Sequence, residues 1–200
     1  YGIIGAESSQ WEPPVYDQTT PISPHVGNPN YHLTEDLADQ TIAWIERQQA
    51  SRPNQPFFTY FSTPALHAPH HVAREWIDKF KGQFDGGWDV LREEIYERQL
   101  KLGVIPPNTA LTKRPEQVPA WNDYPERYRP VASRLMETFA GFLAHTDAQV
   151  GRVIDALERL NIMDNTLVVY ITGDNGASAE GTIHGAWSAP SFQNGVPEDP

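Results

Sequence analysis

Apolar and polar positions along this chain follow two rhythms, one helical and one strand-like. The longest helical pattern runs from Val131 to Leu160. There Leu135, Phe139, Phe142, Thr146, Val150, Val153 and Leu157 recur at three- and four-residue steps, the spacing that gathers side chains on one face of an α-helix. Asn161 suits the end of that helix. An earlier helix is expected from about Thr34 to Gln49. Thr34 serves as its N-cap, Glu35 and Asp36 suit the positive end of the helix dipole, Ala38, Ile42 and Ile45 form the apolar stripe, and Pro53 blocks continuation. Shorter helices are expected over Ala73–Phe80 and Trp88–Leu102; in the second, Leu91 and Ile95 lie one turn apart and Gly103 is the stop.

Two segments carry the pattern of buried strands. Phe57–Phe61 is a short aromatic run after Pro56, and Leu167–Ile171 is a continuous, largely β-branched run of the kind expected for a central parallel strand covered on both faces. Residues 1–32, punctuated by Pro13, Pro14, Pro21, Pro24 and Pro29, lack periodicity and read as a loop-rich segment. Residues 104–128 read as a Pro-rich irregular insertion anchored by Trp121 and Tyr124. Helix, strand and loop in alternation predict an α/β fold, with the two strands in one sheet and the long helix packed on the second.

Composition narrows the partners. No run of about 18 apolar residues is present, so no membrane span is expected. Lys and Arg total 15 against 26 Asp and Glu, a net charge of −11 with no basic block. Such a chain repels phosphate backbones and anionic lipid, which argues against nucleic-acid or membrane-surface binding. An anionic small substrate requires a local metal or cationic cluster to reverse the field. The absence of cysteine excludes disulfides, thiolate metal sites and a Cys nucleophile within this stretch. The chain starts at Tyr1, and its last residues show no helix or strand pattern; both ends read as cuts through a longer protein.

The candidate chemistry clusters after the two predicted strands. Asp174 and Asn175 follow the Leu167–Ile171 run, at the sheet edge where α/β folds bind ligands. A carboxylate beside an amide carbonyl offers hard oxygens suited to Ca²⁺ or Mg²⁺, and Gly173 and Gly176 permit the sharp turn that aims both one way; a plain Asp-Asn-Gly turn is the alternative. His67, His70 and His71 follow the other run. Histidine there can serve as acid, base or metal ligand, or be an ordinary loop histidine. The rigid Pro69 and the strand-end position favour His67, whereas a zinc site from all three lacks a Glu among them. Glu93, Glu94 and Glu97 read as a solvated helix face. Asp147 beside His145 is either a buried acid or a surface group, and Ser178 has no Gly-x-Ser-x-Gly elbow around it.

An ordered set of motifs joins these features: Trp11-Glu12-Pro13-Pro14, His67-Ala68-Pro69-His70, Trp76-Ile77-Asp78-Lys79-Phe80-Lys81-Gly82, Leu100-Lys101-Leu102-Gly103-Val104-Ile105-Pro106, Phe142-Leu143-Ala144-His145-Thr146-Asp147, Gly151-Arg152-Val153-Ile154-Asp155 and Gly173-Asp174-Asn175-Gly176-Ala177-Ser178. In this order, over nearly the whole chain, it resembles bacterial arylsulfatases, formylglycine-dependent enzymes of the alkaline-phosphatase superfamily. The resemblance implies an internal part of a single catalytic domain. Its fold would be an incomplete portion of an alkaline-phosphatase-like sandwich, a mixed, mostly parallel sheet between helices. It implies hydrolysis of a small sulfate ester by the parent enzyme. By resemblance, Asp174 and Asn175 are calcium ligands (magnesium being the alternative), and His67 is the histidine that contacts the sulfate or the leaving-group oxygen. The formylglycine nucleophile, the earlier Asp pair and the Lys-x-His element are expected ahead of Tyr1, and a later sulfate-binding Lys beyond Pro200, so the isolated chain is expected to be inactive and to self-associate through exposed sheet edges. The alternatives are a phosphonate monoester or phosphodiester hydrolase of the same superfamily, and a non-catalytic metal-binding or interaction module.

Overall fold

In the computed structural model of the chain, the described residues are 1–5, 8–173, 183, 185 and 193–196. The chain divides into two compact units, Tyr1–Trp76 with Gly141–Ser178, and Ile77–Ala140 with Ala179–Pro200.

The first unit opens on a three-stranded antiparallel sheet of β1 (Gly2–Ile3), β2 (Val15–Asp17) and β3 (Thr20–Ile22), in that order. Residues 1–32 are therefore not loop throughout, as their composition suggested; strands of two or three residues are too short to display a period of two. Val15 lies opposite Ile22 and Asp17 opposite Thr20, leaving Gln18 and Thr19 to turn the hairpin. Gln18 takes the left-handed conformation, φ 54°, that tight hairpins favour. Pro21 is tolerated because β3 is an edge strand. Val15 is buried against Tyr31, Leu33 and Leu37, with Ile3, Ile22 and Phe61 packed around them.

Helix α1 (Leu33–Ser51) buries Leu33, Leu37, Ala38 and Ile45. Its N-cap is His32, whose side chain accepts from the Thr34 N–H. Thr34 is thus inside the helix, and its hydroxyl instead donates to Gln10 Oε1 at 2.9 Å. The reason is packing: Leu33 is fully buried in the core and takes the first helical position. Beyond Arg52 the chain folds back along α1, where Phe57 meets Trp44 edge-on at 6.0 Å.

Helix α4 (Arg129–Arg159) belongs to the first unit from Gly141 onward. There it buries Phe142, Ala156 and Leu157, and on the same stripe His145, Thr146 and Gln149. Three polar pairs join it to α1: Glu35 with His145, Asp39 with Arg152 and Glu46 with Arg159. Residue numbers rise together along both helices, so this part of α4 runs parallel to α1. The two arginine pairs are half-exposed and contribute about 0–1 kcal/mol each.

Phe57–Phe61 and Leu167–Ile171 depart from expectation. Neither pairs with another strand among the described residues, and Phe58 (84% exposed), Leu167 (89%) and Ile171 (82%) face solvent. A strand exists only where a neighbour takes its backbone N–H and C=O groups. An apolar run shows that a segment is fit for burial, not what covers it. The paired strands among the described residues are the antiparallel β1–β3; the expected parallel sheet is not seen among them.

The second unit contains α3 (Gly87–Leu102), closed by Gly103 in the left-handed conformation at φ 70°; α2 (Arg74–Asp78) precedes it, shorter than expected. The Pro-rich residues 104–128 are irregular apart from 3-10 turns at Trp121–Asp123 and Glu126–Tyr128. They are pinned to α3 by polar contacts that sequence patterns do not reveal. Asp89 accepts from the Trp121 N–H at 2.8 Å and pairs with Arg114 at 2.6 Å. Trp88 donates to Pro119 O at 3.0 Å and Tyr96 to Thr109 O at 2.6 Å. Trp121 and Tyr124, the expected anchors, are buried and share an aromatic cluster with Trp88. Leu135, expected on the buried stripe of α4, is instead 45% exposed. Buried Glu137 accepts from the Gly82 N–H at 2.7 Å and pairs with Arg134.

Candidate active site

The loop after Phe61 is shaped by short-range hydrogen bonds around two prolines. Thr63 Oγ1 accepts from the Ala65 N–H at 2.9 Å. His67 N–H donates to Pro64 O at 2.8 Å, and His71 N–H to Pro69 O at 2.8 Å. The result is a compact, half-buried arc that presents three imidazoles in five residues.

Each imidazole has a distinct position. His67 Nδ1 lies 2.8 Å from Ala68 O. A carbonyl only accepts, so Nδ1 carries the proton and, in the neutral ring, Nε2 holds the lone pair. The His70 ring packs against Phe142 at 6.2 Å; burial leads in lowering its pKa, with His67 and His71 adding to the effect. His71 Nδ1 receives the Gln10 N–H at 3.4 Å, its ring stacks on Trp11 at 6.3 Å, and burial lowers its pKa as well. Each of the three rings has its own environment.

Two further histidines belong to this neighbourhood, and sequence reasoning gave neither a role. His32, buried at the start of α1, accepts from the Thr34 N–H at Nδ1 (3.2 Å) and lies 3.1 Å from His71 O at Nε2. Burial chiefly, then the neighbouring His145, pushes its pKa down to about 4. His145 on α4 stacks at a tilt on His32, 4.3 Å between centroids, and meets Glu35 Oε1 at 2.9 Å. Its Nδ1 is buried with no hydrogen-bond partner among the described residues. The readable signal was polar intrusion into an apolar stripe: Phe142, Thr146 and Leu157 share one face of α4 with His145 and Gln149.

The other candidates separate from this cluster. Asp174, Asn175 and Ser178 lie outside the described residues. Glu93, Glu94 and Glu97 are exposed on α3, and Asp147 is exposed on α4. An open groove of about 320 Å³ between α1 and α4, lined by Asp39, Ile42, Glu46, Arg152, Asp155 and Arg159, holds surface ion pairs and does not include the histidine arc.

The family model for sulfatases matches residues 1–197. The chain belongs to the sulfatase family. It is 31% identical over 176 residues to an uncharacterized sulfatase of Schizosaccharomyces pombe, an alignment covering 86% of this chain and 30% of that protein. It is 30% identical over 164 residues to an arylsulfatase of Klebsiella aerogenes, covering 82% of this chain and 34% of the relative. The sulfatase chain therefore spans about a third of the length of these curated relatives. Membership implies the alkaline-phosphatase-like α/β fold, of which the described residues contain the helices and a small antiparallel sheet. Among the described residues no helix is long and apolar enough to cross a membrane.

Proposed function

We propose that this sulfatase chain supplies part of the active site of a calcium-assisted, arylsulfatase-type sulfate ester hydrolase. The family match across residues 1–197 carries the reading, and the position of His67 supports it. With Nδ1–H committed to Ala68 O, His67 handles protons at Nε2. As an imidazolium it donates from Nε2 to the departing alkoxide or phenoxide oxygen while the ester S–O bond breaks, and is left neutral. The Ala68 carbonyl fixes the ring orientation through both states.

Asp174 and Asn175 offer the donor set a hard cation takes, one carboxylate and one amide oxygen. When bound, calcium supplies positive charge against the sulfate oxygens, and the parent's formylglycine supplies a gem-diol oxygen as nucleophile. In a chain of net charge −11, such local positive charge makes binding of an anionic ester reasonable. In the longer protein, Phe57–Phe61 and Leu167–Ile171 would take their places in a mixed, mostly parallel sheet, delivering His67 and Asp174 to one edge.

The test compares the isolated chain with a longer parent. The chain alone is expected to show no turnover of an aryl sulfate and only weak calcium binding by calorimetry, because calcium takes about six to eight oxygens and this segment offers two. The parent is expected to hydrolyse aryl sulfate faster than a phosphodiester, and to lose at least about a hundredfold in kcat on His67→Ala. Faster phosphodiester hydrolysis would reassign the substrate class. Tight calcium binding by the chain alone, abolished by Asp174→Ala, would show a complete metal site within it.

A further inference from the structure

His32 is a buried titratable group that the proposed reaction does not use, yet it contacts the arc that carries His67. We infer that His32 is a positioning residue: a neutral imidazole bridging the N-terminus of α1 and the carbonyl of His71, which holds the His67 arc in place only while it is uncharged. The inference rests on reading His67 as the proton-handling histidine of the site.

Geometry assigns both ring nitrogens. Nδ1 accepts from the Thr34 N–H at 3.2 Å. Nε2 lies 3.1 Å from His71 O, an atom that only accepts, so Nε2 carries the proton. The ring is in its Nε2–H tautomer with each nitrogen used once. Thr34, the residue capped, adds a second grip. Its hydroxyl bonds Gln10 Oε1 at 2.9 Å and approaches Thr63 Oγ1 at 3.3 Å. Gln10 in turn gives its N–H to His71 Nδ1 and its carbonyl to the Leu33 N–H at 2.8 Å. The first turn of α1 thus grips the arc at Thr63 and at His71, equally far before and after His67. A histidine that merely capped a helix would need only the first of its two bonds.

Protonation would break the bridge. An imidazolium has N–H at both nitrogens, and Nδ1–H would point at the Thr34 N–H, donor against donor, at the positive end of the α1 dipole. From α1, Glu35 is the carboxylate nearby, already engaged by His145. From α4 come His145 and Phe142, from the arc His71, and from the N-terminal segment the Trp11 ring. Glu35 apart, these groups offer a proton on His32 no compensating charge. The lowering of its pKa to about 4 agrees with this.

Two substitutions separate the two bonds. Asn places a polar atom near Nδ1, so His32→Asn keeps the cap and loses the link to His71. Gln reaches the Nε2 position, so His32→Gln keeps the link and loses the cap. The readout is the ring ¹⁵N spectrum of the 200-residue chain, which reports the tautomer and environment of each histidine. His32→Asn is expected to shift the His67 signals and reduce its Nδ1–H population, with little change in melting temperature. His32→Gln is expected to leave His67 as in wild type while lowering the melting temperature. In wild type the His32 signals should show the Nε2–H tautomer with no inflection near pH 6.5, and the His67 signals should move as pH passes from about 5 to about 4. Unmoved His67 signals in His32→Asn, an equal shift in both variants, or ordinary titration of His32 near 6.5 would overturn the inference. The reading of His67 fails separately: His67→Ala that leaves hydrolysis by the parent unchanged would remove its role without touching the spectra.

Discussion

His67 and His32 are imidazoles in opposite circumstances. The first is half-buried and tied by one nitrogen to its own neighbour's carbonyl, so the other faces the proposed chemistry. The second is buried with both nitrogens committed, so its charge state bears on stability. Its pKa falls from 6.5 in the unfolded chain to about 4 in the folded one. Above pH 6.5 both states are neutral and folding is indifferent to this group. Below it the unfolded chain takes up a proton that the folded chain refuses, so stability declines with pH until the folded ring also titrates near 4. The full shift corresponds to about 3 kcal/mol as an upper bound. Urea midpoints are expected to be level from pH 8 to about 7 and to fall steadily from about 6.5 to 4. In His32→Asn the slope should be shallower, the remainder coming from His70 and His71, whose pKa values burial also lowers. An equally steep slope in the variant would show that other groups govern acid stability. Sequence reading favours His67 as the proton-handling candidate because it follows an apolar run and lies just before Pro69. It passed over His32 because histidine is an uncommon N-cap and Thr34 looked the better one.

Among the elements, helices were legible and strands were not, and the difference is physical. A helix satisfies its own backbone, so periodicity alone locates it; α1, α3 and α4 lie within a few residues of their expected ranges. A strand depends on a partner far away in sequence, which a local pattern cannot name. Between these cases lies the packing of α3 on the irregular residues 104–128, which hinges on one glycine. At Gly87, φ is +78° and an added Cβ would stand 2.1 Å from the Trp121 ring. That ring is held by Trp88 and Tyr124 and by the Asp89 bond to its backbone, so it has little room to withdraw. Gly87→Ala is expected to destabilise the second unit by about 2–4 kcal/mol, combining overpacking with left-handed strain. Gly103 provides the control. Its φ is +70° but an added Cβ would meet nothing within 4 Å, so Gly103→Ala should cost only about 1 kcal/mol. Denaturant melts followed by tryptophan fluorescence measure both, and equal losses would show that Trp121 yields freely.

For the whole molecule, the resemblance carried by ordered motifs gave the family, while the fate of the exposed apolar runs depends on what lies against them. The chain spans about a third of the length of its curated relatives. Its run Leu167–Ile171 has exposures of 89, 41, 67, 60 and 82% from first residue to last, so both alternating faces meet solvent, and it has no ladder partner among the described residues. Unpaired backbone beside β-branched side chains is a template for another copy. Opposing this is a net charge of −11, whose repulsion salt screens over about 8 Å at physiological ionic strength. The 200-residue chain is therefore expected to self-associate, more strongly at high salt than at low. Val169→Lys places a charge at the centre of the run, where two paired copies would bring like charges together. It also reduces the net negative charge of the chain by one, so overall repulsion weakens and any loss of association must come from the run itself. Sedimentation velocity over a concentration series should show the average mass of wild type rising and that of Val169→Lys staying at the monomer value. A wild-type chain that remains monomeric at high salt, or a variant that associates as wild type does, would move the contact away from residues 167–171.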